Sequence, residues 1–305
     1  MNKIAVTGAT GFVGNFVSKY LEDRGYNVYR FGRKNIDGVL QWDITLGQYD
    51  KKIDIDCIVH CAASVDDWAS YEESYFANVV GTGNVLKSFN NVKKIIYISS
   101  CSVYDSFCDQ VVIKEDECLN GHFLNNYSKT KLLGEMEAKK YNIPHVIILR
   151  PHIIYGPGDT TIAPRIRDAI KLGYLFVPGD GSNRISFTHV DNLSQAILSS
   201  IKKSEVGISI YNITDDKPFI FSEALMLVRK LNKLNFKIIY IPKNISLFFA
   251  SIFEFIYKLL KIKKSPILSR YIVDQMSSDH VFDVTKARNE LIYNPTKSIE
   301  NDFYI

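Results

Sequence analysis

Over the first two-thirds of the chain, short runs of β-branched and aliphatic residues alternate with amphipathic stretches. The runs predict strands at Lys3–Thr7, Asn27–Phe31, Cys57–Cys61, Lys94–Ser99, His145–Arg150 and Ser209–Thr214, and the stretches between them predict helices over Phe12–Arg24, Tyr71–Phe89 and Asn126–Lys140. Strands spaced by helices of this length form βαβ units, hence a parallel sheet covered on both faces. Near-continuous apolar runs such as IVHCAA and VIILR fit strands buried on both sides. After Pro151 the regularity breaks into mixed helical and loop segments rich in Pro and Gly, including Gly156, Pro157, Gly158, Pro164, Pro178 and Gly179. The fold class expected is α/β, a doubly wound parallel sheet with a smaller, interleaved C-terminal substrate domain.

Composition removes several alternatives. With 305 residues, 46% of them apolar and 23% charged, the chain can bury a large core and is not disordered. Its 37 basic and 33 acidic side chains leave a net charge of only +4 with no basic stripe, so no nucleic-acid partner is expected. The five cysteines, Cys57, Cys61, Cys101, Cys108 and Cys118, are odd in number and lack a CxxC pair. That argues against a disulfide framework or zinc ribbon and for a reduced, cytoplasmic setting. Met1 leads straight into an apolar strand, so no signal peptide is expected. The histidines show no ligand spacing, and no metal is expected.

Thr7-Gly8-Ala9-Thr10-Gly11-Phe12-Val13-Gly14 follows the first strand and opens the first helix. Gly8 permits the tight turn, Gly11 lets the backbone approach a pyrophosphate, and Gly14 lets helix pack on strand. The helix N-terminus offers free N–H groups to the anion. This makes residues 1–160, completed by segments near 186–214, a dinucleotide-binding domain, and 161–305 mainly the substrate-binding domain. An NAD site usually places an acid about 20 residues beyond the turn. The second strand ends instead in Arg30, Arg33 and Lys34, of which Arg33 suits a 2′-phosphate. NADP(H) is therefore favoured, with NAD(H) as the alternative; Arg30 is read as pointing to solvent.

Tyr127 and Lys131 stand four apart at the start of a helix, on one face about 5–6 Å apart. At an effective dielectric near 20 the ammonium would favour the phenolate by roughly 3 kcal/mol, lowering the phenol pKa by about two. Upstream, IYISSCSVY ends a buried strand with hydroxyls at the carboxyl edge of the sheet, where Ser100 could polarise a carbonyl.

Together TGATGFVG, the Asp43 of QWDIT, VHCAAS, the NVVGT from Asn78, SSCSVY, YSKTK followed by Glu135, LRPHIIYGPGD and SFTHVDN resemble the extended short-chain dehydrogenase/reductase family, the NAD-dependent epimerase/dehydratase type with its Rossmann fold, nearly end to end. The resemblance implies that Asp43 and Ile44 hold the adenine, that Ala62 and Ala63 line the cofactor, that Asn78 braces it and that Pro151 contacts the nicotinamide. Ser100 takes the place of the catalytic Ser/Thr, Tyr127 that of the general acid or base, and Lys131 both tunes it and binds the nicotinamide ribose. Dimers in the family often form through the helices at Tyr71–Phe89 and Asn126–Lys140, so a homodimer is implied. The acid pair of the dehydratases is replaced by Cys101-Ser102, and the diphosphate-clamping Arg of the epimerases by Ile185, with Arg184 one place earlier. GDGSNRISFTHVDN and the segment from Pro266 to Tyr293 look like the 3β-hydroxysteroid dehydrogenase-like branch, which implies action on hydrophobic secondary alcohols and ketones, though related reductases accept keto sugars.

Ile245, Phe248, Phe249, Ile252, Phe253, Ile256, Leu259 and Leu260 recur at helical spacing, followed by Lys261, Lys263 and Lys264. The leading expectation is a core or lid helix; an apolar wall for a lipidic substrate and weak membrane-surface contact are the alternatives. His60 is read as a core histidine, His189 as structural and Cys101 as a packing residue, whereas His152 and Tyr155 are placed near substrate. The resulting expectation is an NADP(H)-dependent oxidoreductase acting on the ketone or secondary alcohol of a small molecule, through Ser100, Tyr127 and Lys131. A nucleotide-sugar epimerase using NAD and a non-catalytic dinucleotide-binding regulator are its rivals.

Overall fold

A computed structural model describes residues 2–108, 112–215 and 217–303. The first half contains β1 (Lys3–Thr7), α1 (Phe12–Glu22), β2 (Asn27–Gly32), β3 (Leu40–Gln41), β4 (Cys57–His60), α2 (Tyr71–Tyr75), α3 (Gly81–Ser88), β5 (Lys94–Ile98) and α4 (Asn126–Lys139). Next come β6 (His145–Pro151), β7 (Ile154–Tyr155), α5 (Ile162–Ala169), β8 (Tyr174–Pro178), β9 (Arg184–Ile185), β10 (Thr188–His189), α6 (Val190–Lys202) and β11 (Gly207–Ile213). The chain closes with β12 (Phe219–Ile220), α7 (Phe221–Leu231), β13 (Lys237–Ile241), α8 (Lys243–Leu259), α9 (Arg270–Ser277), α10 (Thr285–Leu291) and α11 (Ile299–Asp302).

Among the described residues seven strands form one sheet in the order β11-β6-β5-β4-β1-β2-β3, every pairing parallel. Its central strands are buried on both faces because each face carries its own core. One packs Val6, Val59, Ile96 and Leu149 against α1, α6 and α10. The other packs Ala5, Ile58, Ile95 and Ile148 against Val85, Leu86 and Ala138 of α3 and α4. The successive side chains of each strand thus go to opposite sides, and both sides are apolar, which is why these strands read as unbroken hydrophobic runs. A third core, around Leu175, Val177, Phe221, Leu225 and Phe236, holds the C-terminal elements together.

Three features differ from the sequence-based expectation. The helix expected over Tyr71–Phe89 is continuous, but its middle, Phe76–Val80, is a π-helical turn, a wider local geometry that recurs at functional sites. A disulfide joins Cys108 to Cys118, ten residues apart, where free thiols were expected; Cys57, Cys61 and Cys101 are free. The pairing arises because the chain doubles back beyond β5, with Asp105 N–H donating to the Cys118 carbonyl at 2.7 Å. Third, α8 is not a core helix, since most of its aromatic side chains face outward. No helix among the described residues is long and apolar enough to cross a membrane.

Candidate active site

The strand order reverses between β1 and β4, and the crevice at the carboxyl edge there is where open α/β sheets receive ligands. The glycine turn lies in it. Gly8 adopts φ +69°, and a Cβ there would come within 2.7 Å of the Ala62 nitrogen. A Cβ on Gly14 would come within 2.3 Å of the Gly8 carbonyl oxygen, so only glycine lets α1 start this close to β1. Gly11 is the N-cap of α1, with extended backbone, no side-chain cap and no acid in the first turn. The leading N–H groups and positive end of α1 are thereby left to an anion. Thr10, Phe12 and Val13 stand half-buried around it. The residues present fit the pyrophosphate of a dinucleotide.

At the rim, β2 ends in Gly32, whose Cβ would lie 2.8 Å from Thr10 Cγ2, so no side chain fills the place of an acid. Arg33 and Lys34 follow it, both exposed. Arg30 does not point to solvent: it pairs with Glu22. Asp43 Oδ1 accepts from Thr45 N–H at 2.9 Å and Thr45 Oγ1 at 2.7 Å, shaping the turn after β3. Ile44 is buried, and its carbonyl accepts from Asn84 Nδ2 at 2.7 Å. Ala62 and Ala63 are half-buried just beyond β4. Asn78, on the π-helical turn, accepts from Ser64 N–H at 2.8 Å and donates to Thr130 Oγ1 at 3.0 Å, tying the loop after β4 to α4. Pro151 is buried at the end of β6.

The proposed proton-transfer set converges at the ends of β4 and β5. Asn125 caps α4, accepting from Ser128 N–H at 2.8 Å, which fixes Tyr127 and Lys131 in its first turns. Lys131 Nζ donates to the Ile98 carbonyl at 2.6 Å and lies 4.3 Å from the centre of the Tyr97 ring. Burial brings its pKa down to about 8, against the upward pull of Glu135. Burial likewise pushes the Tyr127 phenol above its ordinary value, and the Ser100 hydroxyl opposes that rise. Lowering of the phenol pKa by Lys131 was expected; desolvation raises it instead. Beneath the set, Glu135 accepts Arg150 Nε and Nη2 at 2.8 and 2.7 Å and Ser99 Oγ at 2.5 Å, all fully buried.

Four further side chains reach this region, two of them, Asp67 and Arg165, from outside the motifs. Ser102 Oγ accepts from Ser100 Oγ at 3.0 Å and lies 3.2 Å from the Tyr271 hydroxyl on α9. Tyr127, Asp67 and Arg165 all act electrostatically on that hydroxyl. Arg165, on α5, is held by the Asp67 carboxylate through two bonds of 3.0 and 3.2 Å, across from the loop after β4. Nothing local marks Asp67 and Arg165, because each comes from a different element, and only the fold brings Ser102 to Tyr271. His152 lines a small cavity with Ser102, Tyr271 and Gln275. Tyr155 is in the C-terminal core, its hydroxyl donating to Asp215 at 2.7 Å. His60 sits buried between Thr7 and Thr82, His189 caps α6, and Cys101 packs with its thiol against the Arg150 carbonyl. Among the described residues no cluster of His, Cys, Asp and Glu could hold a metal.

The family model described as the NAD dependent epimerase/dehydratase family matches residues 4–214. A 2-alkyl-3-oxoalkanoate reductase of Stenotrophomonas maltophilia is 28% identical over 98% of this chain and 96% of its own length. Short-chain dehydrogenase/reductase family 42E member 1 of Xenopus laevis is 30% identical over 96% of this chain and 84% of its length. A decarboxylating sterol-4-alpha-carboxylate 3-dehydrogenase of Mus musculus is 27% identical over 98% and 88%. In fold, the chain is similar to MoeE5 in complex with UDP-glucuronic acid and NAD, with a TM-score of 0.74 at 22% identity over 98% of this chain and 96% of that one. It is also similar to RMD from Pseudomonas aeruginosa complexed with NADPH, at TM-score 0.71 and 18% identity over 98% and 96%. A glycine turn on the first strand of this sheet, a tyrosine and lysine one helical turn apart beside it, and the family match over these same residues make the chain an enzyme of the NAD-dependent epimerase/dehydratase family, an extended short-chain dehydrogenase/reductase.

Proposed function

We propose that the chain is an NADP(H)-dependent reductase of a hydrophobic molecule carrying a ketone two carbons from a carboxylate, working reversibly on the corresponding secondary alcohol. The observation that carries this reading is the cluster of hydroxyls from Tyr127, Ser100, Ser102 and Tyr271 with a guanidinium, Arg165, within electrostatic reach. The bound nicotinamide supplies the hydride. Ser100 hydrogen-bonds the carbonyl oxygen, and Tyr127, held as the neutral phenol by burial, gives its proton to that oxygen as charge develops. Lys131, anchored on the Ile98 carbonyl, binds the nicotinamide ribose and steadies the phenolate left behind. Residues 1–160 with 186–214 serve the cofactor, and the remainder mainly the substrate.

The carboxylate follows from two independent supports. The names 2-alkyl-3-oxoalkanoate reductase and sterol-4-alpha-carboxylate 3-dehydrogenase both describe an oxygen function two carbons from a carboxylate. Arg165 spends two donors on Asp67 and, with five in all, keeps others for a second anion. For the cofactor, the side-chain-free strand end at Gly32 and the exposed Arg33 favour a 2′-phosphate over a bare ribose. A sugar-nucleotide epimerase is less well supported: Ile185, at the diphosphate-clamp position, is 1% exposed, and Arg184 is engaged by Asp279 at 3.2 Å.

Steady-state reduction of a 2-alkyl-3-oxo acid with NADPH tests the reading. Tyr127→Phe should keep NADPH binding and lose roughly 10²–10⁴ in turnover. Arg165→Ala should raise KM for the acid by about 10-fold or more and leave that for its methyl ester unchanged, as expected for a charge-assisted contact of about 1.5–3 kcal/mol. Protein that purifies with NAD and never consumes NADPH would favour the epimerase instead.

A further inference from the structure

The helix α8 is amphipathic in the reverse of the usual sense. Its inward stripe, at four-residue spacing, is Ser246, Ala250 and Glu254. Its outward surface carries large apolar side chains: Phe248, Phe255 and Leu259 are 63%, 66% and 68% exposed, and Phe249, Ile252 and Leu260 are also exposed. Helices on a water-facing surface bury their aromatics and expose polar residues. An apolar face of this extent marks an interaction surface.

Its charges select the partner. Lys258, Lys261, Lys263 and Lys264 stand exposed along and beyond the C-terminal end of the helix. From 243 to 264 the one acid is Glu254, and it is buried, accepting Arg270 N–H at 2.7 Å and Arg270 Nη2 at 2.9 Å. A second copy of this segment would therefore bring no carboxylate to the lysines. Nor does the face suit a single small molecule, because it runs along the outside of a helix about 25 Å long. An anionic lipid surface offers both an apolar layer for the phenylalanines and phosphates for the lysines.

We propose that α8 and the lysines after it lie in the plane of an anionic membrane surface. The docking face adjoins the mouth of the candidate site. Trp68, next to Asp67, donates its indole N–H to the Ile262 carbonyl at 3.1 Å and meets the Tyr257 ring edge-on. Entry of a hydrophobic substrate directly from the lipid rests on the function proposed above; the docking does not.

Flotation of the full chain with vesicles tests the docking. Vesicles of phosphatidylcholine and phosphatidylglycerol should carry the protein upward, and vesicles of phosphatidylcholine alone should carry far less. The triple change Lys261→Glu, Lys263→Glu, Lys264→Glu should lower the partition coefficient on the anionic vesicles by on the order of a hundredfold or more, about fivefold for each lysine lost. Phe248→Ser with Phe255→Ser should lower it comparably, with circular dichroism confirming that both variants are folded. No flotation of the folded chain on either vesicle overturns the docking, as does flotation that survives the phenylalanine changes. Sedimentation showing a dimer that these phenylalanine changes dissociate, with no vesicle binding, assigns the face to a second copy instead.

Discussion

Replacing Glu135 by Gln keeps the side chain's shape and removes its charge from beneath the candidate site. The carboxylate accepts two bonds from Arg150, at 2.8 and 2.7 Å, and one from Ser99 at 2.5 Å, with the side chains of the ion pair 0% and 1% exposed. In Glu135→Gln one acceptor oxygen becomes an NH2 facing a guanidinium, and a buried positive charge is left uncompensated. Losing one partner of such a pair costs about 3–5 kcal/mol. At roughly 2 °C per kcal/mol for a large chain, the melting temperature should fall by about 6–10 °C. Glu22→Gln, which breaks the more exposed pair with Arg30, supplies the control and should cost under about 1 kcal/mol. The same change reaches Lys131, because Glu135 is the main group opposing the downward push of burial on that ammonium. Without it Lys131 loses its proton at lower pH, so the alkaline limb of the pH–rate profile should move toward neutrality. Equal melting shifts in Glu135→Gln and Glu22→Gln, measured by circular dichroism, would refute the reasoning.

Two other outcomes follow from single groups. Burial raises the Asp215 pKa from 3.8 to about 6, although it accepts bonds from His189 N–H, Asn192 and Tyr155. A raised acid favours the folded state below its unfolded pKa and loses that contribution as pH rises through the folded one. From about pH 4 to pH 7 the native chain should therefore lose roughly 3 kcal/mol relative to Asp215→Asn, read from denaturant melts at each pH. Arg33→Ala should weaken NADPH binding by about 10- to 150-fold, measured by calorimetry, and leave NADH binding unchanged, as for a lost hydrogen bond between charged groups of about 1.5–3 kcal/mol.

What could be read from the sequence was what local chemistry encodes. The unbroken apolar runs gave β1, β4, β5 and β6 within a residue of their observed ends, because a strand buried on both faces has little freedom in composition. The glycine turn was equally legible, since the approach of Ala62 and of α1 excludes a Cβ at Gly8 and Gly14. Pairings made only by the folded chain were not. Arg165 and Asp67 are 98 residues apart, and Ser102 and Tyr271 are 169 apart. Period 3.6 correctly marked α8 as a helix, but apolar residues lie on so much of its circumference that periodicity does not say which stripe faces inward. The small side chains of Ser246 and Ala250 decide it, by allowing close packing that the phenylalanines would prevent.

Spacing of four residues placed Tyr127 and Lys131 on one helix face, but the step from proximity to a depressed phenol pKa counted the ammonium's charge and left out the cost of burying both groups. In the folded chain the Lys131 Nζ is committed to the Ile98 carbonyl and sits over the Tyr97 ring. Burial meanwhile disfavours both charged forms: it brings Lys131 down to about 8 and raises Tyr127. Desolvation acts on each group separately, while their attraction requires both to be charged at once, so the neutral phenol prevails. A neutral phenol beside the Ser100 hydroxyl is the state that can donate a proton to a carbonyl oxygen as hydride arrives. Under the proposed function this phenol is ready to protonate a ketone, whereas oxidation of the alcohol requires the Tyr127 proton to leave first, so pH–rate profiles in the two directions should show the steeper rise with pH for oxidation.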